Sequence, residues 1–256
     1  MSPVPLHHEI HGQHDAPTLV LLGSLGSTLA MWEPQVEALR RDLCVVPVDL
    51  RGHGASPGGP GPYAIDDLGG DVVALLDRLG LERAHLAGLS LGGMIAQWVA
   101  ARHPERVDRL ALLATSTRLP PPEQWHERAA TARSQGTVAL ADGVVSRWFT
   151  APFAERHPDE VERFRQMIAG TDDEGYAGCC EAIAALDLRE DAPRITAPTL
   201  VLAADQDPAT PPEHGEALAE AIPDAQLQVV EQAAHLLSVE QPQAVTNALR
   251  AHVLTD

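Results

Sequence analysis

Short apolar runs alternate with longer amphipathic stretches along most of the chain, and turn residues separate them. Such runs predict buried strands, and the amphipathic stretches predict helices. Strands and helices in alternation indicate βαβ units and a largely parallel sheet, so the sequence predicts an α/β fold. The predicted strands are Thr18–Leu22, Cys44–Asp49, Ala84–Gly88, Leu110–Ala114, Thr199–Ala203 and Leu227–Glu231, with His7–His11 as a further edge strand. The predicted helices between them are Trp32–Arg41, Asp66–Leu79, Leu91–His103, Glu213–Ala221 and Gln241–Val253.

The alternation stops between about Ser116 and Thr196, where strand-like runs disappear. We therefore expect a core made of residues 1–115 and 197–256, with residues 116–196 inserted as a helical cap. A helical insertion in an α/β sheet is expected to cover the carboxyl edge of the strands, where ligands bind in open sheets. The helices predicted in this region are Pro122–Ser134, Thr137–Trp148, Asp159–Ala169 and Gly175–Ala185.

A glycine-flanked serine is the strongest chemical signal in the chain. The segment Gly88–Gly92 reads GLSLG and lies between a predicted strand and a predicted helix, which is the context that the G-x-S-x-G pattern requires. A serine on so tight a turn has a strained backbone, and only glycines can pack closely around it. The sequence therefore predicts Ser90 as a nucleophile. The N–H of Leu91, at the start of the helix, is predicted to face the developing oxyanion.

A serine nucleophile on this scaffold needs an acid and a histidine that follow it in chain order. The acid lies in LVLAADQDPATPPEHG and is Asp205 or Asp207. Asp205 is nearer the end of the strand, whereas Asp207 lies in the following turn, from which a loop can deliver a carboxylate to an imidazole. Asp207 is therefore favoured. His235, between the last predicted strand and the last predicted helix, is predicted as the general base.

Loops that contain glycine follow the first two predicted strands. The loop Gly23–Ser27 reads GSLGS, and enzymes of this kind place a second oxyanion donor there, so the N–H of Leu25 is predicted as that donor. The loop Asp49–Ser56 reads DLRGHGAS and is predicted to be a structural turn without a catalytic role.

The charge balance restricts the possible chemistry and partners. The net charge is −18, all eighteen basic residues are arginine, and the chain contains no lysine. The negative charge argues against nucleic acid and against anionic membrane surfaces as partners. The missing lysine excludes Schiff-base chemistry, lysine-anchored cofactors and the lysine-bearing phosphate loop. No set of histidine, cysteine and aspartate residues has the spacing of a structural zinc site, so we predict neither a metal nor a cofactor.

Cysteine usage and the first residues bear on the compartment. Three cysteines, two of them the adjacent Cys179 and Cys180, do not make a disulfide framework. The segment MSPVPLHHEIHGQHD lacks the basic start and the apolar stretch of a secretory signal. No apolar run approaches the roughly 18 residues needed to cross a bilayer. The sequence therefore predicts a cytoplasmic protein.

Several segments are familiar. GSLGSTLAMWEPQ, VDLRGHGAS, GLSLGGMIAQWVA and LVLAADQDPATPPEHG together resemble the α/β-hydrolase superfamily over the whole chain. More narrowly, GSLGSTLAMW, with SRWFTAPFAERHPDEV and GYAGCCEAIAALDLRED in the predicted cap, is similar to the 3-oxoadipate enol-lactonases of the β-ketoadipate pathway. The resemblance implies an α/β-hydrolase fold with a mostly parallel, eight-stranded sheet flanked by helices and a helical cap inserted in it.

The resemblance also implies site residues and a reaction. Ala204 stands where the family usually has glycine, which leaves the choice between Asp205 and Asp207 open. The implied activity is hydrolysis of a small lactone, 3-oxoadipate enol-lactone, through an acyl-enzyme. The implied site consists of the triad Ser90, Asp207 and His235, the amides of Leu25 and Leu91 as oxyanion hole, and Trp148 as a pocket wall.

The carboxylate of such a substrate needs a cation near the pocket, which must be arginine or backbone N–H in a chain without lysine. The candidates in the predicted cap are Arg118, Arg128, Arg133 and Arg147. Arg133 and Arg147, which lie inside predicted cap helices and of which Arg147 adjoins Trp148, are the preferred candidates.

Other functions on the same residues are a general carboxylesterase and a cofactor-free perhydrolase of the haloperoxidase type. Dehalogenases and epoxide hydrolases are disfavoured because they use an aspartate nucleophile, whereas position 90 is serine. A receptor with a hydrolase fold that binds a small lactone is a further alternative from a different class.

Overall fold

The computed structural model describes residues 1–254 and contains one six-stranded sheet. The strands lie in the order β2-β1-β3-β4-β5-β6, and every neighbouring pair is parallel. All six strands therefore end at the same edge of the sheet, and the predicted α/β class with its parallel sheet is confirmed. The strands are β1 (Thr18–Leu22), β2 (Cys44–Val48), β3 (Ala84–Leu89), β4 (Val107–Leu113), β5 (Thr199–Ala204) and β6 (Gln226–Val230).

The expectation of eight strands is wrong for the described residues, which form six. The predicted edge strand His7–His11 forms only isolated antiparallel bridges to β2, at His8 and His11. Proline interrupts the pairing, because Pro47 of β2 has no N–H to donate. The N–H of Glu9 donates to the Pro47 carbonyl at 3.2 Å, but the return hydrogen bond to the Glu9 carbonyl, which would complete the antiparallel pair, cannot form.

Eleven α-helices lie within the described residues. Helices α4 to α8 lie between β4 and β5, in the region predicted to be helical, and are called here the inserted helices. Helix α6 was not predicted; it is short, and Thr150 Oγ1 accepts a hydrogen bond from the Phe153 N–H at its start. The helices are α1 (Glu33–Leu39), α2 (Ile65–Arg78), α3 (Leu91–Arg102), α4 (Pro122–Gln135), α5 (Val138–Val145), α6 (Ala151–Arg156), α7 (Pro158–Ala169), α8 (Asp173–Ala184), α9 (Pro212–Ala221), α10 (Leu237–Glu240) and α11 (Pro242–Val253).

None of the helices in residues 1–254 combines the length and the apolar character that a membrane span requires. The division into a core and a cap at residues 116–196 stays a prediction.

The sheet is buried on both faces except along its edge strand β6, where residues 226–229 are exposed, and this burial explains why the other strands are mainly apolar without strict alternation. Val20 and Leu22 of β1 pack in one apolar cluster, to which α2, α3 and α8 contribute. Leu19 and Leu21 pack in the other cluster, with α1 and α11. Successive strand side chains point to opposite faces, so a strand with helices on both sides needs apolar residues at every position.

A buried ion pair connects the loop after β2 to α2. The guanidinium of Arg51 donates two hydrogen bonds of 2.7 Å to the Asp71 carboxylate, and these side chains are 2% and 1% exposed. Asp71 also accepts a hydrogen bond from the Val4 N–H at 2.7 Å. Asp71 therefore joins three segments of the chain, and its removal would leave the Arg51 charge buried without its carboxylate partner.

We expect Asp71→Ala to lower the free energy of unfolding by about 3–5 kcal/mol, because breaking a buried pair leaves an uncompensated charge. Urea unfolding at neutral pH measures this loss. Glu37→Ala is the matched control, since it breaks an exposed pair with Arg40 that is worth at most about 1 kcal/mol. Equal losses in the two variants would contradict the structural role of Asp71.

Candidate active site

Ser90 occupies the turn between β3 and α3 with a φ of 56° and a ψ of −115°, a conformation that residues with side chains rarely adopt. Its N–H donates to the carbonyl of Leu113 at the end of β4 at 2.9 Å. Its own carbonyl accepts a hydrogen bond of 2.7 Å from Thr115 Oγ1. Leu113, the last residue of β4, and Thr115, just after it, therefore hold the strained turn in place.

The glycines around Ser90 are required by close backbone contacts. A Cβ on Gly88 would lie 2.2 Å from the Gly92 carbonyl oxygen, and a Cβ on Gly92 would lie 2.2 Å from the Leu22 carbonyl oxygen. The Gly92 N–H donates to the Gly23 carbonyl at 3.0 Å. The first turn of α3 therefore packs directly on the loop that follows β1.

His235 and Asp207 follow β6 and β5 and meet at the same edge of the sheet. The Nδ1 of His235 lies 2.8 Å from Asp207 Oδ2, and both side chains are buried. Asp207 also accepts hydrogen bonds from the N–H groups of Ala209 and Thr210 and, at 2.7 Å, from Thr210 Oγ1. An ionised carboxylate can only accept, so the proton of the imidazole is on Nδ1 and Nε2 keeps its lone pair for base chemistry.

The structure brings Asp207, and not Asp205, to the imidazole. Burial alone would raise the pKa of Asp207, but the interaction with His235 and the hydrogen bonds from Thr210 outweigh burial and lower the pKa to about 2. Asp207 is therefore ionised at neutral pH and can stabilise an imidazolium. Asp205 instead accepts a hydrogen bond of 3.1 Å from the Ala233 N–H, so it holds the loop that leads to His235.

The two amides predicted to bind an oxyanion have no protein acceptor. Leu25 and Leu91 are 5% and 0% exposed. Within residues 1–254, neither N–H donates a hydrogen bond to a protein group. Buried N–H groups are nearly always paired, so two unpaired ones close to a serine suit a ligand oxygen. Leu91 begins α3, where the helix dipole adds positive potential.

Ser90 and His235 line one cavity between the edge of the sheet and the inserted helices. Leu25 lines it from the loop after β1, and Trp148, the predicted pocket wall, lines it from the segment between α5 and α6. No hydrogen bond joins Ser90 Oγ to the imidazole within the described part of the chain. Catalytic hydrogen bonds of this type are often long before substrate binds.

Two arginines line the same cavity without a carboxylate partner among the described residues, Arg128 on α4 and Arg147 after α5. The guanidinium of Arg128 lies over the rings of Trp125 and Tyr176, 5.2 Å and 5.7 Å from their centroids. Burial, and then the positive charge of Arg128, lowers the pKa of Arg147. Two half-buried cations near each other favour an anion at this place.

The structure corrects the expectation for Arg133. Arg133 does not line the cavity. Its guanidinium forms ion pairs with Glu174 at 2.8 Å and Glu181 at 2.6 Å, which join α4 to α8. Arg118, a weaker candidate, is likewise not among the residues that line this cavity. Arg147 and Arg128 are the guanidinium groups that can reach a ligand there.

Two residues that support the site are not predicted from the sequence. Thr210 contacts the Asp207 carboxylate, and a hydroxyl residue three positions after an aspartate is a local signal that could have revealed it. Glu240 is buried and accepts hydrogen bonds from the N–H groups of Ala234, at 2.9 Å, and Thr150, at 3.3 Å. The contact of Glu240 with Thr150 has no local signal, because the two residues are 90 positions apart in the chain.

Comparison with known proteins gives one family and close relatives. The family model of the alpha/beta hydrolase fold matches residues 17–242. The chain is similar to 3-oxoadipate enol-lactonase 2 of Acinetobacter baylyi, with 42% identity over 97% of this chain and 92% of the relative. The enol-lactonase structure from Burkholderia xenovorans LB400 has 44% identity and a TM-score of 0.95 over 98% of this chain and 96% of that chain. An esterase structure from Thermogutta terrifontis, with malate bound, has 32% identity and a TM-score of 0.91 over 96% and 92% of the two chains.

We expect Asp207→Asn to lower kcat by about 10⁴-fold, because an amide stabilises the wrong tautomer of His235 and no longer balances its charge. Steady-state hydrolysis of a p-nitrophenyl ester measures this. Asp205→Asn is the control; its amide oxygen can still accept from the Ala233 N–H, so kcat should stay within about threefold of wild type. A larger loss in the Asp205 variant would reverse the assignment of the acid.

Proposed function

Because the chain belongs to the alpha/beta hydrolase fold family and is a hydrolase, we propose that it opens the ring of 3-oxoadipate enol-lactone. The product is 3-oxoadipate, and the reaction belongs to the breakdown of aromatic compounds. Ser90 is the nucleophile, His235 the general base and Asp207 the residue that orients the imidazole.

One observation carries the choice of substrate. The cavity that contains Ser90 and His235 also contains the unpaired guanidinium groups of Arg128 and Arg147. A serine hydroxyl attacks an ester or lactone carbonyl, and guanidinium groups bind carboxylates bidentately. The enol-lactone of 3-oxoadipate carries both a lactone and a carboxylate. The similarity to enol-lactonases supports the same substrate, and the malate bound to the related esterase agrees with an anionic ligand.

The first half of the reaction forms an acyl-enzyme. His235 Nε2 removes the proton of Ser90, and Oγ attacks the lactone carbonyl. The amides of Leu25 and Leu91 bind the oxyanion, and the carboxylate of Asp207 stabilises the imidazolium. The ring C–O bond then breaks, and His235 returns its proton to the departing enol oxygen. An enolate leaves more easily than an ordinary alkoxide, and the enol tautomerises to the ketone.

The second half releases the acid. His235 removes a proton from water, and the resulting hydroxide attacks the acyl carbonyl in the same oxyanion site. Collapse of this intermediate breaks the bond to Oγ, and the proton on His235 returns to Ser90. The sum is one lactone and one water converted to one 3-oxoadipate and one proton, which the new carboxylic acid releases when it ionises.

The arginines offset the charge of the protein at the point where the substrate enters. A net charge of −18 repels an anionic substrate. In this proposal, Arg128 and Arg147 bind the substrate carboxylate, while Trp148 packs against the apolar part of the ring. Because the charge of Arg128 disfavours the charged form of Arg147, a bound carboxylate relieves repulsion between the two cations.

Substrate profiles distinguish this proposal from the alternatives. A general carboxylesterase would turn over simple p-nitrophenyl esters efficiently but not the enol-lactone. A perhydrolase would form peracid from hydrogen peroxide and a carboxylic acid. A receptor would show slow, single-turnover hydrolysis coupled to partner binding, whereas fast multiple turnover would exclude it.

Ser90→Ala should abolish hydrolysis of the enol-lactone, because no other group replaces the attacking oxygen. The loss of enol-lactone absorbance measures turnover, and covalent labelling with a fluorophosphonate shows whether Ser90 is the reactive serine. Turnover retained by the alanine variant would disprove the mechanism.

We expect Arg147→Met and Arg128→Met each to raise KM for the enol-lactone about 10-fold or more, since each removes a hydrogen bond to a charged group. KM for neutral p-nitrophenyl acetate should hardly change. Arg133→Met is the matched control, because Arg133 does not line the cavity. Equal KM values in all three variants would show that the carboxylate binds elsewhere.

A further inference from the structure

His53 connects the loop after β2 to the loop that carries Leu25. Its Nε2 accepts a hydrogen bond from the Gly26 N–H at 2.8 Å, and its Nδ1 lies 3.0 Å from the carbonyl oxygen of Arg51. The side chain is 1% exposed. Gly26 directly follows Leu25, so this hydrogen bond restrains the peptide group between the two residues. The N–H of Leu25, one peptide group earlier, has no protein acceptor in the part of the chain that the structure describes.

The two partners of His53 define its protonation. A backbone N–H can only donate and a backbone carbonyl can only accept, so Nε2 carries the lone pair and Nδ1 carries the proton. A doubly protonated ring would direct an N–H at the Gly26 N–H. The contact between the two loops therefore requires the neutral imidazole.

The surroundings of His53 keep it neutral. Burial lowers the pKa of His53 and outweighs the hydrogen bond to the Arg51 carbonyl, which acts in the opposite direction. The charged groups that face it are Asp49 directly after β2 and Asp172 just before α8, and their negative charges also fail to offset burial. His53 is therefore neutral at pH 7 and available as an acceptor.

The loop that presents His53 is packed against an inserted helix. A Cβ on Gly52 would lie 2.4 Å from the Gly175 Cα of α8, and Cys179 Sγ lies 3.8 Å from the Arg51 carbonyl oxygen. The loop that carries His53 is therefore fixed in the interior of the protein. The backbone of Gly26, to which His53 is hydrogen-bonded, can adopt more conformations, because Gly26 has a φ of 83° and no side chain to restrict it.

We propose that His53 is a positioning residue for hydrolysis: it holds the Gly26 amide and thereby keeps the N–H of Leu25 directed at the developing oxyanion. This rests on the proposed function, in which Leu25 donates that hydrogen bond. The oxyanion exists only in the transition state and the tetrahedral intermediate. Loss of the hydrogen bond between His53 and the Gly26 N–H should therefore lower kcat and leave KM nearly unchanged.

Two variants of similar size separate the two hydrogen bonds of the ring. In His53→Gln, the amide oxygen reaches approximately the position of Nε2 and can accept from Gly26. In His53→Asn, the shorter amide can replace only Nδ1 and donate to the Arg51 carbonyl. We expect the Asn variant to lose about 10- to 100-fold in kcat, less than the 100- to 1000-fold lost with a complete oxyanion donor. The Gln variant should recover most of the wild-type kcat.

The assay uses the enol-lactone and p-nitrophenyl acetate in parallel, with kcat expressed per Ser90 titrated to completion with a fluorophosphonate. Unfolded protein, which does not react with the fluorophosphonate, then does not lower the kcat that is calculated. His252→Asn is the matched control, because His252 also contacts a backbone carbonyl, that of Leu110 at 3.0 Å, but it lies on α11 and does not line the cavity. It should keep the wild-type kcat.

Selective loss in His53→Asn, with recovery in His53→Gln, supports the proposal. Wild-type kcat in the Asn variant would overturn it, and so would equal losses in both variants, since the acceptor would then be irrelevant. The proposed substrate is tested separately: wild-type protein that cleaves p-nitrophenyl acetate but not the enol-lactone would disprove the substrate while the ester still reports on His53.

The pH dependence of stability gives an independent readout. Because the pKa of His53 is lower in the folded protein, the unfolded chain binds more protons as the pH falls below the ordinary histidine value of about 6.5. The contribution of His53 to stability is therefore complete above that pH and declines below it. The Tm advantage of wild type over His53→Gln should shrink between pH 7.5 and pH 5. A constant difference in Tm would show that His53 titrates normally, contrary to a buried acceptor.

Discussion

The packing of the turn at Ser90 against the loop after β1 is the constraint on which the rest of the site depends. The hydrogen bond from the Gly92 N–H to the Gly23 carbonyl and the lack of room for a Cβ at Gly92 hold these two segments in direct backbone contact. The contact brings the loop of Leu25 to the serine. The strain at Ser90 persists because Leu113 and Thr115 bind its backbone on the other side.

Around this contact, buried polar groups are satisfied mainly by backbone amides. Asp207 and Glu240 accept hydrogen bonds from loop N–H groups, and His53 accepts one from Gly26. Each of these bonds fixes a loop that has no regular structure of its own. The arginines at the cavity differ from the others in their partners. Many arginines, such as Arg133, form ion pairs with carboxylates, whereas Arg128 and Arg147 form none within residues 1–254. Unpaired guanidinium groups give a strongly acidic protein a local preference for an anion.

Most of the fold could be predicted because its signals are local. Most strands are short, mainly apolar runs between turn residues, because parallel strands buried on both faces need no alternation, whereas the exposed edge strand β6 contains two glutamines. Ser90 was recognisable because the close contacts that demand Gly88 and Gly92 lie within a few residues of it. His235 was recognisable from its place after the last strand. Of the strands predicted from local signals, only the edge strand His7–His11 was wrong, because its pairing with β2 is interrupted at Pro47 and such pairing joins distant segments of the chain.

The sequence by itself determined the class of fold, and it predicted Ser90 as the nucleophile and restricted the possible partners, since each of these depends on residue type and on neighbours along the chain. Only the tertiary structure decided between Asp205 and Asp207, because both follow β5 and only one reaches His235. It likewise separated Arg147 from Arg133, since the direction of a side chain depends on which helix lies beside it. The contact of His53 with Gly26 spans 27 residues and two loops, a distance over which periodicity and local spacing carry no information.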